Sequence, residues 1–172
     1  TKILYIFNKH MSDSNRKLAT ILATDCVNFS KHMESDEEKT LRNLNDCRKI
    51  IDAKISEYGG KIFSTAGDSV VAEFASPVQC AKTAIEFQNE LYKRNEHSIT
   101  ELKLEWRVGI HVDDVIVEDN NIMGSGVNVA ARLESQCNPG EILVSRIVND
   151  QCNKRVDIKI VPDGTRELKN IS

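Results

Sequence analysis

The sequence predicts an α+β domain with a ferredoxin-like split βαβ core: a palm-like antiparallel sheet, helices on one face, and extra strands towards the C-terminus. Three observations lead there. The run Leu18 to Asp25 is short, apolar and ends in a carboxylate. The stretch KIFSTAGDSVVAEF alternates like two strands around a turn. A helical pattern lies on either side of that hairpin, which makes the order β-α-β-β-α-β.

The elements follow from local chemistry. LATILATD reads as a buried strand. In SDEEKTLRNLNDCRKIIDAKISEYGG, Ser35 and Glu38 predict a capping box, and Leu41, Leu44, Ile51, Ile55 and Tyr58 recur at helical spacing. Gly59-Gly60 predicts the stop. Ala66-Gly67-Asp68 predicts the hairpin turn. Ser76 and Pro77 predict the start of a second helix, with Ala81, Ala84, Ile85, Phe87 and Leu91 on its buried side. LKLEWRVGIHVDDVIVE reads as a long strand or a strand pair bent near Gly109. GSGVNVAARLES reads as a glycine loop entering a helix, EILVS as a strand, SRIVNDQCN as a short helix and VDIKIV as a further strand.

Length and composition allow a single globular domain: 172 residues, 40% hydrophobic and 28% charged. Residues 1–15 are expected to be an N-terminal extension and residues 16–172 the domain. The net charge of −3 argues against nucleic acid held by bulk electrostatics, but leaves room for a small anionic ligand. The apolar run Ile3 to Phe7 is too short to span a bilayer and no cleavage site follows it, so the expectation is a cytoplasmic domain without membrane insertion. Five cysteines without a CxxC pair point to reduced thiols, not to a disulfide framework or a zinc site.

Several residues stand out chemically. Asp25 ends an apolar strand and Asp68 lies in the hairpin turn, and the split βαβ plan puts those strands side by side. Two hard oxygen ligands with room for phosphate suit magnesium. An ordinary turn cap is equally consistent with each aspartate. Asn128 and Arg132 are four apart and share a helix face, with Val127, Ala131 and Leu133 left for the core. That pair suits a phosphate ligand or a solvated face. Arg107 lies within an apolar strand and needs a partner or a phosphate. His111, on the same strand face, reads as a hydrogen-bonded structural residue. CVNFSKH leads from the first strand towards a helix, where backbone amides can hold phosphate, although it lacks the P-loop pattern.

Taken together, ATDCVNFS, GGKIFSTAGDSVVAEF, WRVGIHVDDVIV, GSGVNVAARLES, PGEILVS and RELKNI resemble the class III adenylate/guanylate cyclase catalytic domain over about 150 residues. The resemblance implies a phosphorus–oxygen lyase that converts a nucleoside triphosphate to a 3′,5′-cyclic nucleotide and pyrophosphate. It implies two Mg²⁺ or Mn²⁺ ions on Asp25, Asp68 and the backbone carbonyl of Cys26, with the amides near Phe29 and Ser30 on the phosphates. It implies Arg107 and Lys169 on the terminal phosphates, Asn128 on the ribose and Arg132 on the α-phosphate. It also implies a homodimer, because in this family the metal pair and the Asn/Arg pair of one site come from different subunits.

Two positions depart from the family pattern. Adenylate cyclases of this family usually carry lysine where this chain has Ser64, and aspartate or threonine where it has Asn121. In that family these two positions read the base, and neither residue here matches the guanylate pattern of glutamate with cysteine or a similar small residue. Both short polar side chains can donate and accept hydrogen bonds, so relaxed or unusual base choice is expected, with ATP first and GTP or a pyrimidine nucleotide as alternatives. A non-catalytic nucleotide-binding or dimerisation module is the competing reading. A different palm-like, two-aspartate enzyme ranks third, because no GG[DE]EF-like hairpin is present.

Overall fold

Strand β1 (Asn15–Cys26) forms the centre of the sheet because its alternate residues are apolar on both faces. The computed structural model describes residues 15–98, 102–118, 121–153, 155–156 and 160–162, with Asn15 and Ser64 described by backbone alone. β1 starts earlier than the apolar run predicts. Its partner β4 (Trp106–Glu118) continues to Val117 opposite Asn15, so the polar residues before Leu18 still find ladder hydrogen bonds.

Two helices follow β1: α1 (Phe29–Ser35) and α2 (Glu37–Glu57). The expected capping box is not used. Ser35 closes α1, and Asp36 caps α2 by accepting from the Lys39 amide at 2.9 Å. The buried face of α2 is Thr40, Asn43, Leu44, Cys47, Ile51 and Ile55. Leu41, expected on it, is 40% exposed because Thr40 takes the position one turn before Leu44. The helix stops at the glycine pair as predicted, where Gly59 takes φ 74° and the Gly60 amide donates to Ile55.

The hairpin β2 (Lys61–Ala66) and β3 (Ser69–Phe74) turns at Gly67-Asp68, as predicted. Helix α3 (Pro77–His97) has Pro77 at its start and Ser76 accepting from the Gln79 amide. Its buried residues are Cys80, Ala81, Thr83, Ala84, Phe87 and Leu91; Ile85 is at the flank, only half-buried. β4 runs as one continuous strand through Gly109, the long-strand form of the two expected. Next come β5 (Asn121–Met123), which the sequence pattern had not revealed, then α4 (Ser125–Gln136), β6 (Ile142–Val144) and α5 (Arg146–Cys152). The strand expected over VDIKIV falls largely outside the described residues.

The strand order β2-β3-β1-β4-β5 is that of the split βαβ plan, with β6 added beside β4. β6 pairs in parallel with the first part of β4, and β5 pairs antiparallel with its last part, so both share one edge of that strand. The sheet has two faces of different character. Leu22 and Cys26 of β1 and Trp106, Val108, Ile110 and Val112 of β4 pack with α2, α3 and α5 in the main core. Ala19, Ile21 and Ala23 of β1 point the other way and pack with Val115, Ile122 and Ala130. Ala130 belongs to α4, so this helix crosses the sheet on the face opposite α2 and α3.

All five cysteines are buried and unpaired, as a set of core thiols would be. No described helix is long and apolar enough to cross a membrane.

Candidate active site

The site forms at the end of the sheet where β1 finishes and β4 begins. Asp25 sits directly opposite Arg107 in the antiparallel register. The two side chains make a forked ion pair: Nε donates to Oδ1 at 2.7 Å and an Nη to Oδ2 at 3.0 Å. The hairpin turn brings Asp68 to the same edge, where its Oδ2 accepts from the Cys26 amide at 3.0 Å. Gly67 has φ 61°, a left-handed turn that suits glycine, and the Phe29 ring of α1 lies beside it. The expected juxtaposition of Asp25 and Asp68 is therefore present, with Cys26 and Phe29 next to them.

Helix α4 closes this site from the other side. Gly109 permits the approach, since a Cβ there would lie 2.2 Å from the Ala130 carbonyl oxygen and 2.3 Å from the Glu134 amide nitrogen. Glu134 is 8% exposed, and its Oε1 lies 3.0 Å from Arg107 Nε. The Ser135 carbonyl accepts from Arg107 Nη1 at 3.1 Å. The isolated cation expected in an apolar strand thus has three partners. Glu134 had not been singled out from the sequence. The signal was available: it falls two residues after Arg132, about 200° round the helix, on the side facing the sheet.

Charge in this cluster is unbalanced. Among the described residues, Asp25, Asp68 and Glu134 share one guanidinium. Burial pushes the Asp68 carboxyl above its usual range, and the Asp25 charge adds to that. Glu134 is pushed up to about 8 by burial first and by Asp25 next, with Arg107 opposing. Even with Glu134 protonated, the Asp25 and Asp68 carboxylates outnumber the one guanidinium, and that surplus suits a divalent cation. Among the described residues no three His, Cys, Asp or Glu side chains converge at metal-ligand spacing. The arrangement fits a magnesium-like ion held by two carboxylates and completed by carbonyl, water and phosphate oxygens. The Cys26 thiol is pushed up to about 12 by burial and stays neutral, so only its backbone is available as a ligand.

The raised Glu134 value carries a pH dependence. The folded chain holds this proton between about pH 4.5 and about 8, where the unfolded chain has lost it, so stability falls as pH rises through that window. Thermal melts should show Glu134→Gln gaining on the wild type from pH 5 towards pH 8, roughly the span of that window. A constant gap across those pH values would rule out the buried, proton-holding carboxyl.

The other expected site residues lie elsewhere. Asn128 is exposed and Arg132 half-exposed on the outer face of α4, and no side-chain partner is recorded for either among the described residues. Ala131, assigned to the core from the pattern, is exposed, while Ala130 takes its place against the sheet. Asn121 opens β5 opposite Glu118, at the far end of β4 from Arg107, and its side chain accepts from the Ile122 amide. Ser64 pairs with Val71 near the aspartate end. Ser30 is exposed in the first turn of α1. Lys169 lies outside the described residues. His111 bonds Ser145 Oγ at 2.9 Å, the structural role expected of it.

The sequence matches the family model described as the adenylate and guanylate cyclase catalytic domain over residues 11–170. This chain belongs to that family. A Rhizobium meliloti (strain 1021) protein bearing the name adenylate cyclase 3 is 35% identical over 91% of the chain. The chain spans 27% of that relative's length, and about a sixth of the next curated relatives it matches. Among solved structures, an adenylate/guanylate cyclase/hydrolase from Silicibacter pomeroyi superposes with a TM-score of 0.85 at 36% identity, covering 92% of each chain. The adenylyl cyclase CyaB from P. aeruginosa superposes with a TM-score of 0.79 at 25% identity, covering 92% of this chain and 90% of that one. The cyclase-domain fold is thus shared along nearly the whole chain.

Proposed function

We propose that this cyclase domain is an active phosphorus–oxygen lyase whose homodimer closes a nucleoside triphosphate, ATP first, into its 3′,5′-cyclic nucleotide. The observation that carries the reading is the carboxylate pair Asp25 and Asp68 at one sheet edge with Arg107 across the register. Asp25, Asp68 and the Cys26 carbonyl would hold two Mg²⁺ or Mn²⁺ ions. When bound, such ions supply positive charge that acidifies a hydroxyl and shields a triphosphate.

The chain's own residues do the rest. Arg107, Lys169 and the amides at Phe29 and Ser30 bind the triphosphate. Asn128 orients the ribose so that its 3′ oxygen faces the α-phosphorus, and pyrophosphate leaves as the new bond forms. Arg132 holds a fixed positive charge where negative charge grows on the α-phosphate. Asn128 and Arg132 face outward from α4, away from Asp25 of their own chain, which supports a site completed by a second copy.

The test is to incubate the purified chain with Mn²⁺ and each of the four ribonucleoside triphosphates at several protein concentrations, reading products by mass spectrometry. A cyclic nucleotide absent from an Asp25→Ala control, with specific activity falling on dilution, supports the proposal. No product at concentrations where the protein is dimeric would favour the binding-only module.

Base choice rests on Ser64 and Asn121. The double change Ser64→Lys, Asn121→Asp should raise the ATP-over-GTP ratio of kcat/KM by about tenfold or more, since charged partners reject the wrong base edge strongly. An unchanged ratio would remove these two positions as base readers.

A further inference from the structure

The guanidinium of Arg107 stands where a cation on Asp25 would act, since it engages both oxygens of that carboxylate. A metal ion and Arg107 therefore compete for Asp25. This competition has a second carboxylate beside it. Glu134 Oε1 is 3.0 Å from Arg107 Nε, yet it is buried and accepts no hydrogen bond. The reason is that Nε carries one hydrogen, and that hydrogen already points at Asp25 Oδ1 at 2.7 Å. Once Glu134 is ionised, an oxygen buried without a donor is costly, and this one lies beside a donor committed to its neighbour.

The rest of the contact gives the guanidinium a hinge. Nη1 donates to the Ser135 carbonyl, which sits in the last turn of α4, where the helix dipole favours a cation. That bond does not involve Asp25 and can persist while Nε changes partner. Gly109 fixes the geometry, because only a residue without Cβ lets the Glu134 backbone sit so close to β4.

We propose that Arg107 is a two-position side chain, bonded to Asp25 while no divalent cation is present and transferred to Glu134 when a cation takes Asp25. Glu134 is then a positioning residue: it keeps the displaced guanidinium at the site mouth, ready for the triphosphate. The free chain carries its own blocking cation, and the helix that bears Asn128 and Arg132 on its outer face holds the alternative seat on its inner one. This inference rests on the proposed metal role of Asp25.

The experiment is a binding titration of Mn²⁺ alone, without nucleotide, followed by the EPR signal of the free ion at pH 8.5 on the full chain. Arg107→Gln removes the competitor and should bind Mn²⁺ more tightly. Glu134→Gln should bind it roughly three- to tenfold more weakly, because the displaced guanidinium has no carboxylate to receive it. That loss should vanish in the Arg107→Gln background. Equal loss in both backgrounds would mean that Glu134 acts on the ion by charge alone, and would overturn the proposal. Unchanged binding by Asp25→Asn would instead overturn the metal site itself, a separate failure. A readout without any variant is the Arg107 Nε–Hε cross-peak in the wild-type protein on adding Mg²⁺. It should shift and stay protected from exchange with water. Rapid exchange with water in the Mg²⁺-saturated chain would show that Glu134 does not receive the bond.

Discussion

Asp25→Ala and Arg132→Ala chains, each nearly inactive, should regain about a quarter of wild-type cyclase activity when mixed in equal amounts. The single losses should be roughly 100- to 1000-fold in kcat, by analogy with the removal of a charge-stabilising donor. The recovery follows from the placement of α4. Its inner side meets Asp25's partner Arg107 in the same chain, through Glu134 and Ser135. Its outer side carries Asn128 and Arg132, which cannot turn inward without unpacking Ala130 from the sheet. In the proposed dimer, each site therefore takes its aspartates from one chain and its Asn/Arg pair from the other. A mixture pairs the two variants in about half of the dimers, and each mixed dimer has one intact site of two, hence the quarter. Mixed dimers that form but stay inactive would show that the two residue sets do not complement across subunits, and the twofold site would be wrong.

Gly109→Ala should lower stability by about 1–3 kcal/mol, the range for forcing extra volume into a packed interior. For a chain of this size that is a fall in Tm of roughly 2–4 °C per kcal/mol. The added methyl would sit 2.2 Å from the Ala130 carbonyl oxygen and 2.3 Å from the Glu134 amide, and both atoms are helix backbone. A side chain could swing aside, but backbone inside a hydrogen-bonded helix cannot, so α4 must shift as a unit. That shift also moves Asn128 and Arg132, so activity should fall further than stability alone explains, on the order of tenfold, since small displacements of positioned groups are costly. A melt and a rate matching the wild type would show that α4 does not lie as close to β4 as the structure places it.

Much of the fold was legible because it rests on local rules. Strand alternation in LATILATD, the glycine pair after α2, the Gly67-Asp68 turn and Ser76-Pro77 before α3 each report a short-range constraint. The misread details show where such rules stop. Asp36 caps α2 in place of Ser35 because α1 occupies Ser35, and either residue type is a good cap. β5 escaped notice because three residues carry too little pattern, and its pairing with Ile116 to Glu118 is what holds it. The placing of α4 on the second face was also out of reach, because an amphipathic helix records which of its sides is buried and not which face of the sheet it covers.

The sequence by itself determined the family, the β-α-β-β-α-β core order, and the candidate chemistry of Asp25, Asp68, Arg107, Asn128 and Arg132, because these depend on residue type and on spacing along the chain. The tertiary structure alone decided that Asp25 faces Arg107 in register, that Asp68 reaches the Cys26 amide, and that Glu134 lies buried beside them. Those contacts join residues 42 and 82 positions apart, and residues 27 apart across the face of β4 that Gly109 leaves open. Local patterns say which way each element faces. Only the packing of one element on another fixes which charges share a single buried space.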